Sequence, residues 1–307
     1  MDVVLGQNEY GKSEIRLAHV GRNGERHDFR DLSVSVALSG DFADVHLTGD
    51  NTNVLPTDTQ KNTVYAFAKE HGVGEIEDFA SRLAQHFVDS HRPVRRATVT
   101  VDEYGWARLG PHSFTAGGEV RHTRARRHAG TTELISGLSG LRLINTTGSE
   151  FTGFARDHYT TLPEASDRIL ATRVSARWRP AEPPGEGAGP QEPRDWATSY
   201  AETRRHLIEA FIETYSYSLQ QTLYAMGTRV LQSRPEIAAI RLSLPNIHHT
   251  PVDLSPFGLA NDNEIFVVSD RPFGLIEATV ARDEVADSRG GTTLFDDGGW
   301  PRGQRGW

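Results

Sequence analysis

Leu32, Val34, Val36 and Leu38 alternate with Ser33, Ser35, Ala37 and Ser39. Successive side chains of a strand point to opposite faces, so this pattern requires a sheet with one buried face. The stretch from Tyr10 to Val20 reads as a partner strand, with Ile15 and Leu17 on one side. Val45 and Leu47 predict a short third strand. Ala97, Val99 and Val101 alternate with Thr98 and Thr100, and Ser113 to Arg127 supplies the return strand. Two helices fit between these pairs. Thr57 and Gln60 have capping-box spacing, so the first helix starts there. Val64, Phe67 and Ala68 are its apolar stripe, and Gly72 and Gly74 end it. Ile76, Phe79, Leu83 and Phe87 recur at helical spacing on the second, which Pro93 stops.

The second half repeats this order. Glu133 to Thr146 and Ile169 to Trp178 read as strands, with the register of the first blurred by Gly137 and Gly140. Arg179 to Pro193 is Pro- and Gly-rich and predicts a flexible loop. One long helix is expected to carry Leu207, Ile208, Phe211, Ile212, Tyr215, Leu219 and Leu223. Strands at Ile237 to Leu244 and Glu264 to Val280 complete the half. The expectation is an α+β chain with a duplicated ββααββ unit, spanning residues 1–130 and 131–286, and a disordered tail at 287–307. The order is not βαβ, which argues against a doubly wound parallel sheet.

At 307 residues and 37% hydrophobic, the chain can bury a substantial core. A net charge of −8 gives no global footprint for nucleic acid. The cluster Arg121, Arg124, Arg126 and Arg127 is locally basic and reads as the solvated edge of a strand. With no cysteine, disulfides, thiolate catalysis and Cys-ligated zinc are excluded. No signal peptide or membrane-length apolar run is visible, so a soluble cytoplasmic protein is expected.

No phosphate loop, zinc helix or nucleophile elbow occurs, and the thirteen histidines are scattered. Five stretches carry chemistry instead. Lys12 stands just before a strand; it is either solvated or, if taken out of water, a base. Thr57-Asp58 is a helix cap, or a helix start that attracts an anion. Phe151 and Phe154, with Arg156 and Arg168 nearby, are core residues or an aromatic face and a cationic fork for a planar ligand. Gln220, beside Leu219, is exposed by default. In Ser243-Leu244-Pro245-Asn246-Ile247-His248-His249 an apolar alternation meets a proline expected to break the ladder. Asn246 and His248, two apart, then project to the same side. His249 is expected to point away.

Taken together these stretches resemble the urate oxidase (uricase) family. The resemblance rests on Tyr10-Gly11-Lys12, Thr57-Asp58, Phe151-Thr152-Gly153-Phe154-Ala155-Arg156-Asp157 with Tyr159-Thr160-Thr161-Leu162 and Asp167-Arg168, Ser218-Leu219-Gln220, and Leu244-Pro245-Asn246-Ile247-His248. It implies tandem tunnelling-fold units whose antiparallel sheets form a barrel with helices outside. It implies a homotetramer with active sites at subunit interfaces. The reaction implied is urate + O2 + H2O to 5-hydroxyisourate + H2O2, with no metal or organic cofactor. On this resemblance Phe151 stacks on the purine and Arg168 and Gln220 clamp its edge. The backbones of Leu219 and Asp58 add contacts, and Leu162 walls the pocket. Thr57 and Asp58 come from the neighbouring subunit. Lys12, Thr57 and His248 form a proton relay, and Asn246 holds O2 or water above the ring.

Two positions depart from the family's habit: Thr152, where an aromatic residue is frequent, and Leu219, where valine is common. The alternatives are a tunnelling-fold relative acting on a pterin or another purine, and a non-catalytic purine-binding protein. The missing cysteine disfavours the zinc-dependent branch, and an intact relay disfavours pure binding.

Overall fold

A computed structural model of the chain describes residues 3–181, 194–283, 285 and 295. Most of the predicted flexible loop, residues 182–193, lies outside the described residues, as does nearly all of the predicted tail. The chain divides into two compact units, Met1–Gly137 and Leu138–Trp307.

In the first unit, β1 (Tyr10–Asn23), β2 (Arg26–Gly40), β3 (Val94–Arg108) and β4 (Phe114–His128) pair antiparallel in chain order. Leu32, Val34, Val36 and Leu38 of β2 are buried, as their alternation requires. They meet Val99 and Val101 of β3 and the helices α2 (Thr57–Glu70) and α3 (Ile76–Ser90). Ile76, Phe79, Leu83 and Phe87 of α3 are fully buried, the predicted stripe.

Three local expectations change. Val45 and Leu47 belong to a five-residue helix, α1 (Ala43–Leu47), and not to a strand. In so short a segment, period two and helical period cannot be told apart. Helix α2 starts where predicted, but Thr57 is its first helical residue and makes no side-chain cap. Gln60 is buried, and its amide donates to Leu55 O at 3.3 Å instead of closing a capping box. Arg121 is not solvated: it donates to both Glu75 and Glu77 at 2.7 Å, and Glu77 also accepts from Ser136 at 2.8 Å. Burial pushes the Glu77 carboxyl above its ordinary range, more than the neighbouring Arg121 charge lowers it.

Strand β1 carries a bulge between Lys12 and Ile15. Glu14 there has φ +57°, and its N–H donates to Ser35 Oγ. Just before the bulge, β1 runs so close to β2 that a Cβ on Gly11 would lie 1.8 Å from Val36 O. Only glycine fits such an approach.

Strand β5 (Thr131–Asn145) carries the chain across the division. In the second unit β6 (Leu170–Pro180), β7 (Ile237–Pro251) and β8 (Phe266–Ala281) pair antiparallel. The single long helix expected here is two: α4 (Trp196–Glu213) and α5 (Leu219–Ser233), packed on each other. The break occurs because Ser216 is pulled into the interior, and because Ser218 caps the new start by accepting from Gln221 N. Leu207, Phe211, Leu223, Met226 and Val230 close over Leu242 and Leu244 to form this unit's core. Each unit thus has the ββααββ order expected, the first with α1 added.

Candidate active site

Ile240, Leu242 and Leu244 of β7 are fully buried and fix the strand in the core of the second unit. Pro245 does not end it; β7 runs on to Pro251. Pairing with β6 holds at Ser175↔Ser243 and at Thr172↔Asn246, one register on either side of the proline. Pro245 has no N–H to give, so the ladder loses a bond without losing its alignment. On the other side β7 pairs Asn246↔Gly274 and then, after a bulge, His248↔Ser269. Bulges beside strand ends re-aim side chains, and this one lies between the two polar residues singled out from the sequence.

A cavity of about 230 Å³ opens here. Phe151, Leu162, Arg168, Asn246 and His248 all line it, with Ile169, Thr250 and Phe266 among the others. His249 borders it too, which the strand alternation did not anticipate; its Nδ1 lies 3.2 Å from Ile247 O.

Phe151 is held by a two-way backbone bridge to Ala165, with N–H···O distances of 2.7 and 3.1 Å. Its ring stacks on Phe154, centroids 4.9 Å apart and planes 12° off parallel. A flat ligand on Phe151 therefore takes the face away from Phe154. Arg168 donates its backbone N–H to Ser149 O at 2.9 Å and its Nε–H to Ser149 Oγ at 3.1 Å. Its guanidinium is half-buried, and burial lowers its pKa from the ordinary arginine value. Among the described residues no carboxylate lies within ion-pair distance of it. Asp167 also lines the cavity, but its carboxylate accepts from Thr147 Oγ1 at 2.9 Å. An arginine taken partly out of water without an ion-pair partner favours an anion, and its planar fork suits paired acceptors.

The loop that bears Phe151 and Leu162 is fastened locally. Asp157 accepts from Tyr159 N and from Thr160 Oγ1, each at 2.9 Å. Gly153, at φ +65°, donates to Glu164 Oε1. Leu219 and Gln220 begin α5 and do not line the cavity. The Leu219 side chain is in the core and Gln220 is exposed.

Lys12, Thr57 and Asp58 belong to the first unit. The Tyr10 hydroxyl ties β1 to the segment before α2, donating to Leu55 O and accepting from Leu55 N. That tie sets Lys12 beside the first turn of α2. The Asp58 carboxyl is held below its ordinary range, first by its hydrogen bond to Lys61 and to a lesser degree by the Lys12 charge. Sequence reasoning missed Ser149, whose residue type carries no signal, and the Tyr10 tie, which joins residues 45 positions apart. Among the described residues no group of three or more His, Asp or Glu side chains is disposed to hold a metal ion. No helix among them is long and apolar enough to cross a membrane.

A family model described as uricase matches residues 8–132 and 134–277. The uricase of Arthrobacter globiformis is 46% identical over 284 residues, covering 92% of this chain and 91% of that protein. A uricase of Oryctolagus cuniculus is 34% identical, covering 92% and 95%. The crystal structure of the Arthrobacter globiformis uricase superposes with a TM-score of 0.86, over 92% of this chain and 96% of that one. A motif set in order, a matching fold and near-complete coverage agree: the chain belongs to the uricase family of urate-oxidising oxidoreductases, built from tandem tunnelling-fold units.

Proposed function

We propose that the chain oxidises urate with O2 and water to 5-hydroxyisourate and H2O2, without a metal or organic cofactor. The observation that carries the reading is the cavity in which Phe151, Leu162, Arg168, Asn246 and His248 converge. A stacking ring, a half-buried cation with no ion-pair partner among the described residues, and two polar groups on a strand end suit a flat anion that must be both held and attacked.

In this reading Phe151 carries the purine face while Arg168 and Gln220 grip its edge. The backbones of Leu219 and Asp58 add contacts, and Leu162 walls the site. Asn246 holds O2 or the incoming water above the ring. Lys12, Thr57 and His248 pass the proton. O2 in its triplet state reacts slowly with closed-shell molecules, but a deprotonated urate is electron-rich enough to transfer an electron to it directly. The two electrons lost by urate reduce O2, which takes two protons to leave as H2O2, and the oxygen of water is added to the ring. The protein's part is to bind the anion, keep bulk water away and move protons on time.

The assembly proposed is a homotetramer with Thr57 and Asp58 supplied by the neighbouring subunit. The Lys12 charge acts on the Asp58 carboxyl, so a neighbour that supplies Asp58 brings Lys12 with it. The relay then joins two residues of one subunit to His248 of another. The compartment proposed with this reading is the cytoplasm.

The test is urate's ultraviolet absorbance followed alongside peroxide, in chelator-treated protein. One peroxide per urate consumed is expected. No turnover of urate, or turnover lost with metal removal, refutes the proposal.

A further inference from the structure

We propose that Ser149 and Ser216 are positioning residues that lock the two arms of the substrate clamp to each other; this rests on the urate-binding reading of Arg168 and Gln220. Ser149 is 1% exposed and Ser216 fully buried. They form an isolated parallel bridge, in which Ser216 N donates to Gly148 O at 3.0 Å and Glu150 N donates to Ser216 O at 2.8 Å. Each serine then turns to a different arm.

Ser149 faces Arg168 twice over. Its backbone oxygen takes the Arg168 N–H, and its hydroxyl takes the Nε–H. The Nε bond fixes the roll of the guanidinium plane and leaves the terminal nitrogens for a ligand. Ser216 faces the start of α5. Its hydroxyl donates to Ser218 O at 3.1 Å and accepts from Thr222 Oγ1 at 2.8 Å. Ser218 is the residue that caps α5, and Leu219 and Gln220 are the next two. Two buried hydroxyls, joined through one backbone bridge, thus hold the arginine fork and the glutamine turn in one frame. A clamp with two independent arms loses orientation as each arm moves, and sub-ångström looseness is enough to weaken it.

The test is urate affinity, measured by calorimetry without O2 on the full chain, for single and paired variants. Ser149→Ala removes the acceptor of the Nε bond and is expected to weaken urate binding by roughly tenfold, the usual scale for a hydrogen bond to a charged group. In an Arg168→Lys background, which has no Nε–H to hold, Ser149→Ala is expected to change affinity by less than about twofold. Ser149→Thr keeps the hydroxyl and is expected to bind within about threefold of the unaltered protein. Ser216→Ala is expected to weaken binding by about threefold to tenfold, and to have little effect once Gln220→Ala is present.

Equal losses with and without the Arg168 change overturn the proposal, as a packing role costs the same in both backgrounds. So does a folded Ser149→Thr variant that binds about tenfold or more weaker than the unaltered protein, a result that needs no alanine variant. Failure of the unaltered protein to bind urate overturns the urate reading and the clamp with it. Tight binding that is indifferent to Ser149→Ala overturns only the positioning role.

Discussion

The guanidinium carbon of Arg168 stands 5.2 Å from the centre of the Phe151 ring. The side chain proposed to hold the edge of the purine and the one proposed to carry its face are in direct contact, so each constrains the other. Arg168→Ala is expected to raise KM for urate by roughly tenfold or more while kcat falls less, as the loss of charge-assisted hydrogen bonds requires. Arg168→Lys should recover only part, because an ammonium cannot offer a planar fork. Steady-state kinetics decide it; a loss confined to kcat contradicts the clamp.

The role proposed for Lys12 is proton transfer and not holding the ring. Lys12→Met is expected to lower kcat by about a hundredfold, within the usual range for a lost acid–base group, with KM little changed. A raised KM at unchanged kcat would assign it to binding.

Much of this arrangement is visible in the order of residues, and the exceptions have physical causes. Leu32 to Leu38, and Phe79, Leu83 and Phe87, declare their faces because each alternation runs long enough to define a period. Val45 and Leu47 do not, as five residues fit either period. Tyr215, Leu219 and Leu223 prolong the apolar rhythm of α4 past its end; what breaks the helix is the burial of Ser216, a tertiary event. Arg121 looked solvated because its partners, Glu75 and Glu77, lie more than 40 positions away. Phe151, Leu162, Arg168, Asn246 and His248, which line the cavity, were legible because they sit in long local motifs. Ser149 and Ser216, which brace them, were not, since a bridge between distant serines leaves no trace in spacing.

Ser218 accepts from Gln221 N and so ends the break between α4 and α5. Ser218→Ala is expected to cost about 1 kcal/mol of stability, the typical value of an N-cap. Because Gln220 lies in the turn it caps, a higher KM should accompany the lower Tm. A stability loss without any change in KM would separate the cap from the clamp.

Glu77 gives stability a pH dependence with a definite sign. Burial raises its folded pKa above the unfolded value, so its contribution is fully present below the ordinary Glu range and is lost as pH rises through the folded value. Relative to Glu77→Gln, which cannot ionise, the unaltered protein should therefore lose ground as pH climbs through and above that range. Denaturant titrations at several pH values measure the difference, and a difference that grows in favour of the unaltered protein contradicts the direction.

Activity should require assembly. If, as proposed, Thr57 reaches His248 across a subunit boundary, a monomer is expected to turn over urate negligibly. Activity per chain, followed by dilution alongside sedimentation, tests this; a confirmed monomer with full activity removes the shared relay.

The close approach at Gly11 has a consequence for anyone reading function from variation. A side chain there meets Val36 O at 1.8 Å, and the strand that must yield is the one that carries Lys12. Every substitution at Gly11 should therefore silence the protein in an activity screen as thoroughly as loss of Lys12, although the glycine has no atom to offer the reaction. In a map of mutational tolerance the two neighbours will look alike, one intolerant for its proposed part in the reaction and the other as empty space.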